Sequence, residues 1–159
     1  MELEKVRKQY GLSQIAAANI INMPIRTYAR YEKNEDYGND LKRKMMIDSL
    51  INACEITETK GILSMIQIKD IIVELINTKY KDEIDFCFVF GSYAKGYATE
   101  KSDIDICIST NLKGLSFVGL KVDLENNLHK NIDLIRFSDL KDNLDLIGEI
   151  MKDGIKIYG

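Results

Sequence analysis

The sequence predicts an α+β chain in two parts: a small all-helical unit followed by a small α/β unit with a short mixed sheet. Three observations carry that expectation. Charge changes sign along the chain, since residues 1–44 hold nine Lys/Arg against six Asp/Glu and the remainder thirteen against nineteen, so the net −3 over 159 residues conceals a basic head and an acidic body. Apolar residues up to Cys54 recur only at helical spacing, whereas further on helical stretches alternate with short apolar runs of strand length. Gly11, Ser13 and the single proline, Pro24, punctuate the first part at intervals too short for anything but brief helices.

In order, residues 2–9 form a helix that Gly11 is placed to end. Ser13 is a good N-cap for a second helix over 14–21. Asn22 and Met23 make a tight corner, and Pro24 suits the first turn of a third helix ending near residue 32. After the polar loop of residues 33–40, Leu41, Met45, Leu50, Ile51 and Cys54 indicate a fourth helix whose buried face closes the unit. Residues 57–66, with Gly61 as a break, read as the linker between a domain over 1–56 and another over 67–159. Ile68, Ile71, Ile72, Leu75 and Ile76 follow the i, i+3, i+4, i+7, i+8 pattern of an amphipathic helix. The run 84–90 (IDFCFVF) is apolar on both faces, as a central strand is. Strands follow over 103–109 and 131–137, separated by a helix marked by Phe117, Leu120, Leu124 and Leu128. A helix over 140–151 and a short closing strand over 155–158 complete the order.

Composition removes several function classes. At 45% hydrophobic and 30% charged, the chain has the balance of a globular protein, and no apolar run approaches the ~20 residues of a membrane span. The N-terminus is not a signal peptide. Three cysteines (Cys54, Cys87, Cys107), odd in number and without CxxC spacing, support neither a disulfide framework nor a zinc site, and a cytoplasmic location fits best. With one histidine and no tryptophan, His-based triads and His-rich metal sites are poor candidates. Cys87 and Cys107 fall in strands and are expected to fill core, and His129 ends a helix.

The chemistry concentrates in residues 90–108, FGSYAKGYATEKSDIDICI. A buried strand ends at Phe90 and meets Gly91-Ser92 at once, a turn that lets backbone N–H groups approach a ligand and form an anion nest. The Ser92 hydroxyl and the Lys95 ammonium are placed to add to that cradle. Asp103 and Asp105, two apart in a strand, point to one face about 6.6 Å apart along the chain. Ile104, Ile106 and Ile108 take the other. Two carboxylates so placed repel and are costly to bury. A divalent cation relieves the conflict, and hard oxygen donors favour Mg2+ or Mn2+. An edge strand with a solvated outer face accounts for a bare Asp-x-Asp as well. Asp133, within NIDLIRF, supplies a third acid on a neighbouring strand.

Gly91-Ser92, the ten residues 93–102, Asp103-Ile104-Asp105 and the later Asp133 together resemble the nucleotidyltransferase superfamily related to DNA polymerase beta. The likeness extends through Ala94-Lys95-Gly96, Ser102-Asp103-Ile104-Asp105 and the terminal DGIKIYG, over residues 67–159. Lys95 stands where Arg is commoner, which keeps the charge but loses bidentate phosphate contact. The resemblance implies that Asp103, Asp105 and Asp133 are catalytic and bind Mg2+ or Mn2+. It also implies that Gly91, Ser92, Lys95 and Ser102 bind nucleotide, and that AMP is transferred from ATP to a hydroxyl. The minimal members it resembles often serve as antitoxins that adenylylate a HEPN ribonuclease toxin, which makes such a toxin the expected partner, in a homo- or hetero-oligomer.

Residues 6–34 resemble the helix-turn-helix of phage-repressor-like Xre regulators, through Gly11-Leu12-Ser13-Gln14, Ala18, Thr27 and Arg30-Tyr31-Glu32. The resemblance implies that the Pro24-initiated helix presents Arg26, Thr27 and Arg30 to operator DNA, with Gln14 anchoring a phosphate. A larger apolar residue than Ala17 and a Ser-like cap rather than Pro24 are usual there. A helical scaffold that contacts protein instead of DNA is the other reading. So, for the whole chain, is a DNA-binding regulator whose second domain only binds nucleotide or partner.

Overall fold

The computed structural model describes residues 2–159, and the chain is α+β. It divides into two compact units, Met1–Glu55 and Ile56–Gly159.

The first unit is all helical. Helix α1 (Glu2–Gln9) carries Glu2 and Glu4 in its first turn and Arg7 and Lys8 in its last, complementing the helix dipole at both ends. Gly11, at φ +64, turns the chain away with its N–H on the Lys8 carbonyl. Ser13 caps α2 (Gln14–Ile20) by accepting from the Ala16 N–H at 3.1 Å. Asn22, at φ 55, makes the corner, and the Met23 N–H closes back on the Ala18 carbonyl at 2.9 Å. Pro24 is the N-cap of α3 (Ile25–Lys33), one residue earlier than the first-turn position the sequence suggested. Asn39 caps α4 (Asp40–Cys54) through the Lys42 N–H. The core gathers Leu3, Ala17, Ala18, Tyr28, Tyr31, Met46, Ile47 and Leu50.

The expected buried face of α4 needs correction. Leu41 is 67% exposed and Met45 61%, while Met46, Ile47 and Leu50 face the core. The consecutive apolar residues Met45-Met46-Ile47 allow two phases of the same period, and packing against α1 and α2 selects the second.

The second unit begins with a tight turn bridging Thr57 and Lys60, followed by Gly61 at φ +77 and the buried Leu63. The stretch expected to be a linker therefore lies against this unit's core. Ser64 and Gln67 form a reciprocal capping box at the head of α5 (Met65–Leu75), which continues into a π-helical turn, Ile76–Tyr80. Strand β1 (Ile84–Phe90) runs into the short helix α6 (Gly91–Lys95). Strand β2 (Ile104–Thr110), α7 (Leu115–Leu128) and β3 (Ile132–Arg136) follow. The expected helix over 140–151 is instead a 3-10 turn (Phe137–Leu140) and then α8 (Leu144–Asp153). The break comes where Asn143 accepts from the Leu146 N–H as an N-cap. Strand β4 (Ile155–Tyr158) closes the sheet.

The sheet order is β3-β2-β1-β4, with β1 antiparallel to both its neighbours and β2 parallel to β3. One face, carrying Cys87, Val89, Ile104, Ile106 and Ile108, packs on Ile68, Ile72 and Ile76 of α5 and its continuation and on Leu120, Leu124 and Leu128 of α7. The other, carrying Phe88, Phe90, Cys107 and Ile135, packs on Leu140 and on Leu146, Ile147 and Ile150 of α8. Cys87 and Cys107 are both fully buried, one on each face. Among the described residues no helix is long and apolar enough to cross a membrane.

Candidate active site

The glycine turn and the acids meet at one end of the second face. Phe90, the last residue of β1, is paired with Asp105 of β2, and Asp105 is in turn in register with Asp133 of β3. Three adjacent strands thus present the turn and two carboxylates side by side. Asp103 lies one residue before β2 rather than within it, exposed beside the strand entrance. Asp103 is near enough for its charge to act on Asp105, and the parallel pairing with β3 brings Asp133 alongside as well.

Gly91 has a positive φ of +68, and a Cβ built on it would run into the Asp105 carboxylate. The glycine is required twice, for its backbone conformation and for the space the carboxylate fills. Gly91→Ala should cost about 1–2 kcal/mol from the backbone alone and push Asp105 out of position, as a denaturant titration of the variant would read.

Burial, and then the negative charges of Asp133, Asp103 and Glu149, push the Asp105 carboxyl up to about 6, with Lys95 pulling the other way. Four acids and one lysine therefore share this corner. Lys95, at the end of α6, is tied to Glu149 of α8, Nζ to Oε1 at 2.6 Å, both partners being partly exposed. That hydrogen bond raises the lysine's pKa. Ser92 is half-buried within α6. The Ser102 hydroxyl accepts from the Thr99 N–H at 2.8 Å and lies 3.2 Å from Thr99 Oγ1, closing the turn ahead of Asp103.

Asp103, Asp105 and Asp133 have the hard oxygen donors that Mg2+ or Mn2+ takes, and the raised Asp105 carboxyl marks acids short of a counter-cation. Among the described residues no three His, Cys, Asp or Glu side chains already converge on one point that would hold a metal ion. The donor chemistry nonetheless fits a divalent cation.

In the first unit, Arg26 and Arg30 project from α3 and, with Ala29, Lys33, Asn34 and Tyr37, line an open groove. The Arg30 guanidinium lies 5.8 Å from the Tyr37 ring centre. Thr27 is half-buried on the same helix. Gln14 is turned inward. Its Nε2 donates to Glu32 Oε1 at 3.1 Å, and Arg7 grips the same carboxylate through Nε at 2.8 Å and Nη2 at 2.7 Å. The buried Glu32 carboxylate thus ties the Gln14 amide to Arg7 within the unit.

Sequence reasoning missed Glu149 and Lys130, and took Glu32 only as part of the helix-turn-helix pattern, without its buried pairing. Glu32 had a signal, because it follows Tyr28 by four residues and so shares the buried face of α3, where an acid needs a partner. Glu149 had none, since its pairing depends on α8 crossing α6.

Residues 67–159 match the family described as "Polymerase beta, Nucleotidyltransferase". The chain is also similar to three solved structures. A toxin–antitoxin with AMP-PNP is 22% identical, with 57% of this chain and 73% of that chain covered, at a TM-score of 0.49. A tri-AMPylated Shewanella oneidensis HEPN toxin in complex with MNT antitoxin is 20% identical, with coverage of 58% and 70% and a TM-score of 0.44. A toxin–antitoxin MntA-HepT is 19% identical, with coverage of 58% and 70% and a TM-score of 0.44. No curated protein matches the sequence. The glycine turn against Asp105, the neighbouring Asp133 and a match over more than half the chain lead to one statement: the chain belongs to the polymerase beta nucleotidyltransferase family.

Proposed function

We propose that the chain transfers AMP from ATP to a hydroxyl of a partner protein, as an antitoxin that adenylylates a HEPN ribonuclease toxin. The observation that carries the reading is the register of Asp105 with Asp133 beside a glycine whose missing Cβ makes room for the Asp105 carboxylate. Asp103, Asp105 and Asp133 are the residues that would hold Mg2+ or Mn2+. Such an ion, when bound, offsets triphosphate charge and makes the α-phosphorus a better electrophile.

The chain's own groups do the rest. The backbone at Gly91 and Ser92 supports the phosphates, and Lys95, exchanging Glu149 for a phosphate oxygen, neutralises charge that builds on the leaving group. Asp133, exposed at the strand end, accepts the proton of the attacking hydroxyl. The new bond joins that oxygen to the α-phosphorus, the bond to the β-phosphate oxygen breaks, and pyrophosphate leaves.

The first unit, residues 1–56, is on this proposal an Xre-like helix-turn-helix through which the protein represses its own operon, and the exposed Arg26 and Arg30 on α3 support it. Residues 67–159 are the catalytic domain. The same two arginines favour a second reading, a DNA-binding regulator whose nucleotidyltransferase unit only binds nucleotide or partner.

Incubating the purified chain with a HEPN-type toxin and Mg-[α-32P]ATP should label the toxin. Absence of label together with absence of ATP binding sinks the enzymatic reading. In a gel shift with operator DNA, Arg26→Ala plus Arg30→Ala should abolish binding while Asp103→Ala leaves it intact. Operator binding without any transfer would favour the regulator.

A further inference from the structure

Lys130 is 2% exposed, a burial that lysine rarely tolerates without a carboxylate partner. Its hydrogen-bond partners are all backbone carbonyls. Nζ donates to the carbonyl of Glu100 at 2.5 Å and reaches those of Lys60 at 3.3 Å and Glu58 at 3.5 Å. The ammonium therefore joins two segments far apart in sequence, the turn at 57–60 and the loop that leads into Asp103. Two further hydrogen bonds reinforce the same junction: the Gly61 N–H donates to Glu100 Oε1 at 3.0 Å, and Asn131 Nδ2 donates to Glu58 Oε1 at 2.7 Å.

This junction stands immediately upstream of the three aspartates proposed to hold the metal. Glu100 precedes Asp103 by three residues, and the Ser102 N–H bonds the Thr99 carbonyl at 3.0 Å between them. The carbonyl of Asn131, next to Lys130, accepts from the Ile104 N–H at 2.9 Å, the residue between Asp103 and Asp105. Two residues further on, Asp133 sits in register with Asp105. We infer that Lys130 is a positioning residue for nucleotidyl transfer, its ammonium fixing the 99–103 loop against the 57–60 turn so that Asp103 meets Asp105 and Asp133 in a metal-competent arrangement. The inference rests on the nucleotidyl-transfer reading and adds to it a residue remote from the substrate.

Lys130→Met keeps the length of the side chain and removes the charge and its donors. In the full-length variant, Mn2+ affinity followed by electron paramagnetic resonance should fall about 10–100-fold, as when an outer-shell partner of a metal site is lost. Amide hydrogen exchange should quicken at Ser102 and Ile104, with helical circular dichroism unchanged. Lys130→Arg, which keeps the cation, should recover most of the affinity. If Lys130→Met does not fold, Glu58→Ala, which removes the Asn131 bond without stranding a charge, should weaken Mn2+ binding in the same direction. Unaltered exchange at Ser102 and Ile104, or unaltered Mn2+ affinity in a folded variant, overturns the positioning role. Failure of the wild-type protein to bind Mn2+ overturns the nucleotidyl-transfer reading, and the inference falls with it.

Discussion

Asp105→Asn is expected to cut nucleotidyl transfer by about three orders of magnitude and, in the ligand-free protein at about pH 8, to raise the melting temperature. The two effects share a cause. Asp105 is the half-buried acid on which the other charges converge, so it is both the strongest proposed metal donor and the largest electrostatic liability of the empty site. Its folded-state pKa is raised, from 3.8 to about 6. A raised acid favours folding in its protonated form. The stability it lends is complete below the unfolded value and disappears as pH climbs through about 6. Above that, wild-type protein carries a penalty that the neutral amide lacks, of about 1 kcal/mol once solvent screening of a partly exposed group is allowed for. Melting curves of the two proteins should therefore coincide below about pH 4, separate as pH rises from there to about 6, and stay apart above it, with the variant higher. Added Mg2+ should stabilise the wild type and leave the variant unmoved. A variant that melts lower at every pH would show that the carboxylate is held by contacts that outweigh the repulsion.

The second large effect concerns the helical unit. Arg7→Met should destabilise it by about 3–5 kcal/mol, because the change strands a buried carboxylate. Glu32 has a side chain 3% exposed, and Arg7, itself 12% exposed, meets it with two hydrogen bonds while Nη1 reaches the Leu12 carbonyl at 2.8 Å. Burial works to raise the Glu32 carboxyl, but the hydrogen bonds from Arg7 and Gln14 outweigh it and hold the pKa below the ordinary value. A depressed acid lends its stability above the unfolded pKa and loses it as pH falls through the folded one, so this unit should weaken on acidification from about pH 4.5 downward. The double variant Arg7→Met with Glu32→Leu should recover most of the loss, since an apolar pair avoids the desolvation that the ion pair must overcome. A double variant no more stable than Arg7→Met alone would refute that account.

What the sequence disclosed and what it withheld divide along a physical line. Helix α1, strands β1 and β4, the cap at Ser13 and the corner at Asn22 were legible because they depend on neighbours within a few residues: a glycine that ends a helix, a hydroxyl three residues from the amide it accepts. Asp105 and Asp133 were legible as acids in otherwise apolar strands. Asp133 was expected on a neighbouring strand, but its residue-for-residue register with Asp105 was not legible, because β2 pairs with β3 across an intervening helix. The phase of α4, the partner of Gln14 and the grip of Glu149 on Lys95 all required knowing which elements touch. Lys130 is the extreme case. In the sequence it is one of many lysines, and only in three dimensions is it the cation at the junction of two distant segments.

The two buried cysteines turn the sheet into its own instrument. Cys87 lies under α5 and α7 and Cys107 under α8, and burial pushes their thiols up to about 12 and about 11, so neither reacts until the layer above it lifts. Labelling each thiol under native conditions would time the opening of the two layers separately. On the proposed function, a nucleotide held at Gly91 and Ser92, on the face that carries Cys107, would slow the Cys107 clock and leave that of Cys87 running.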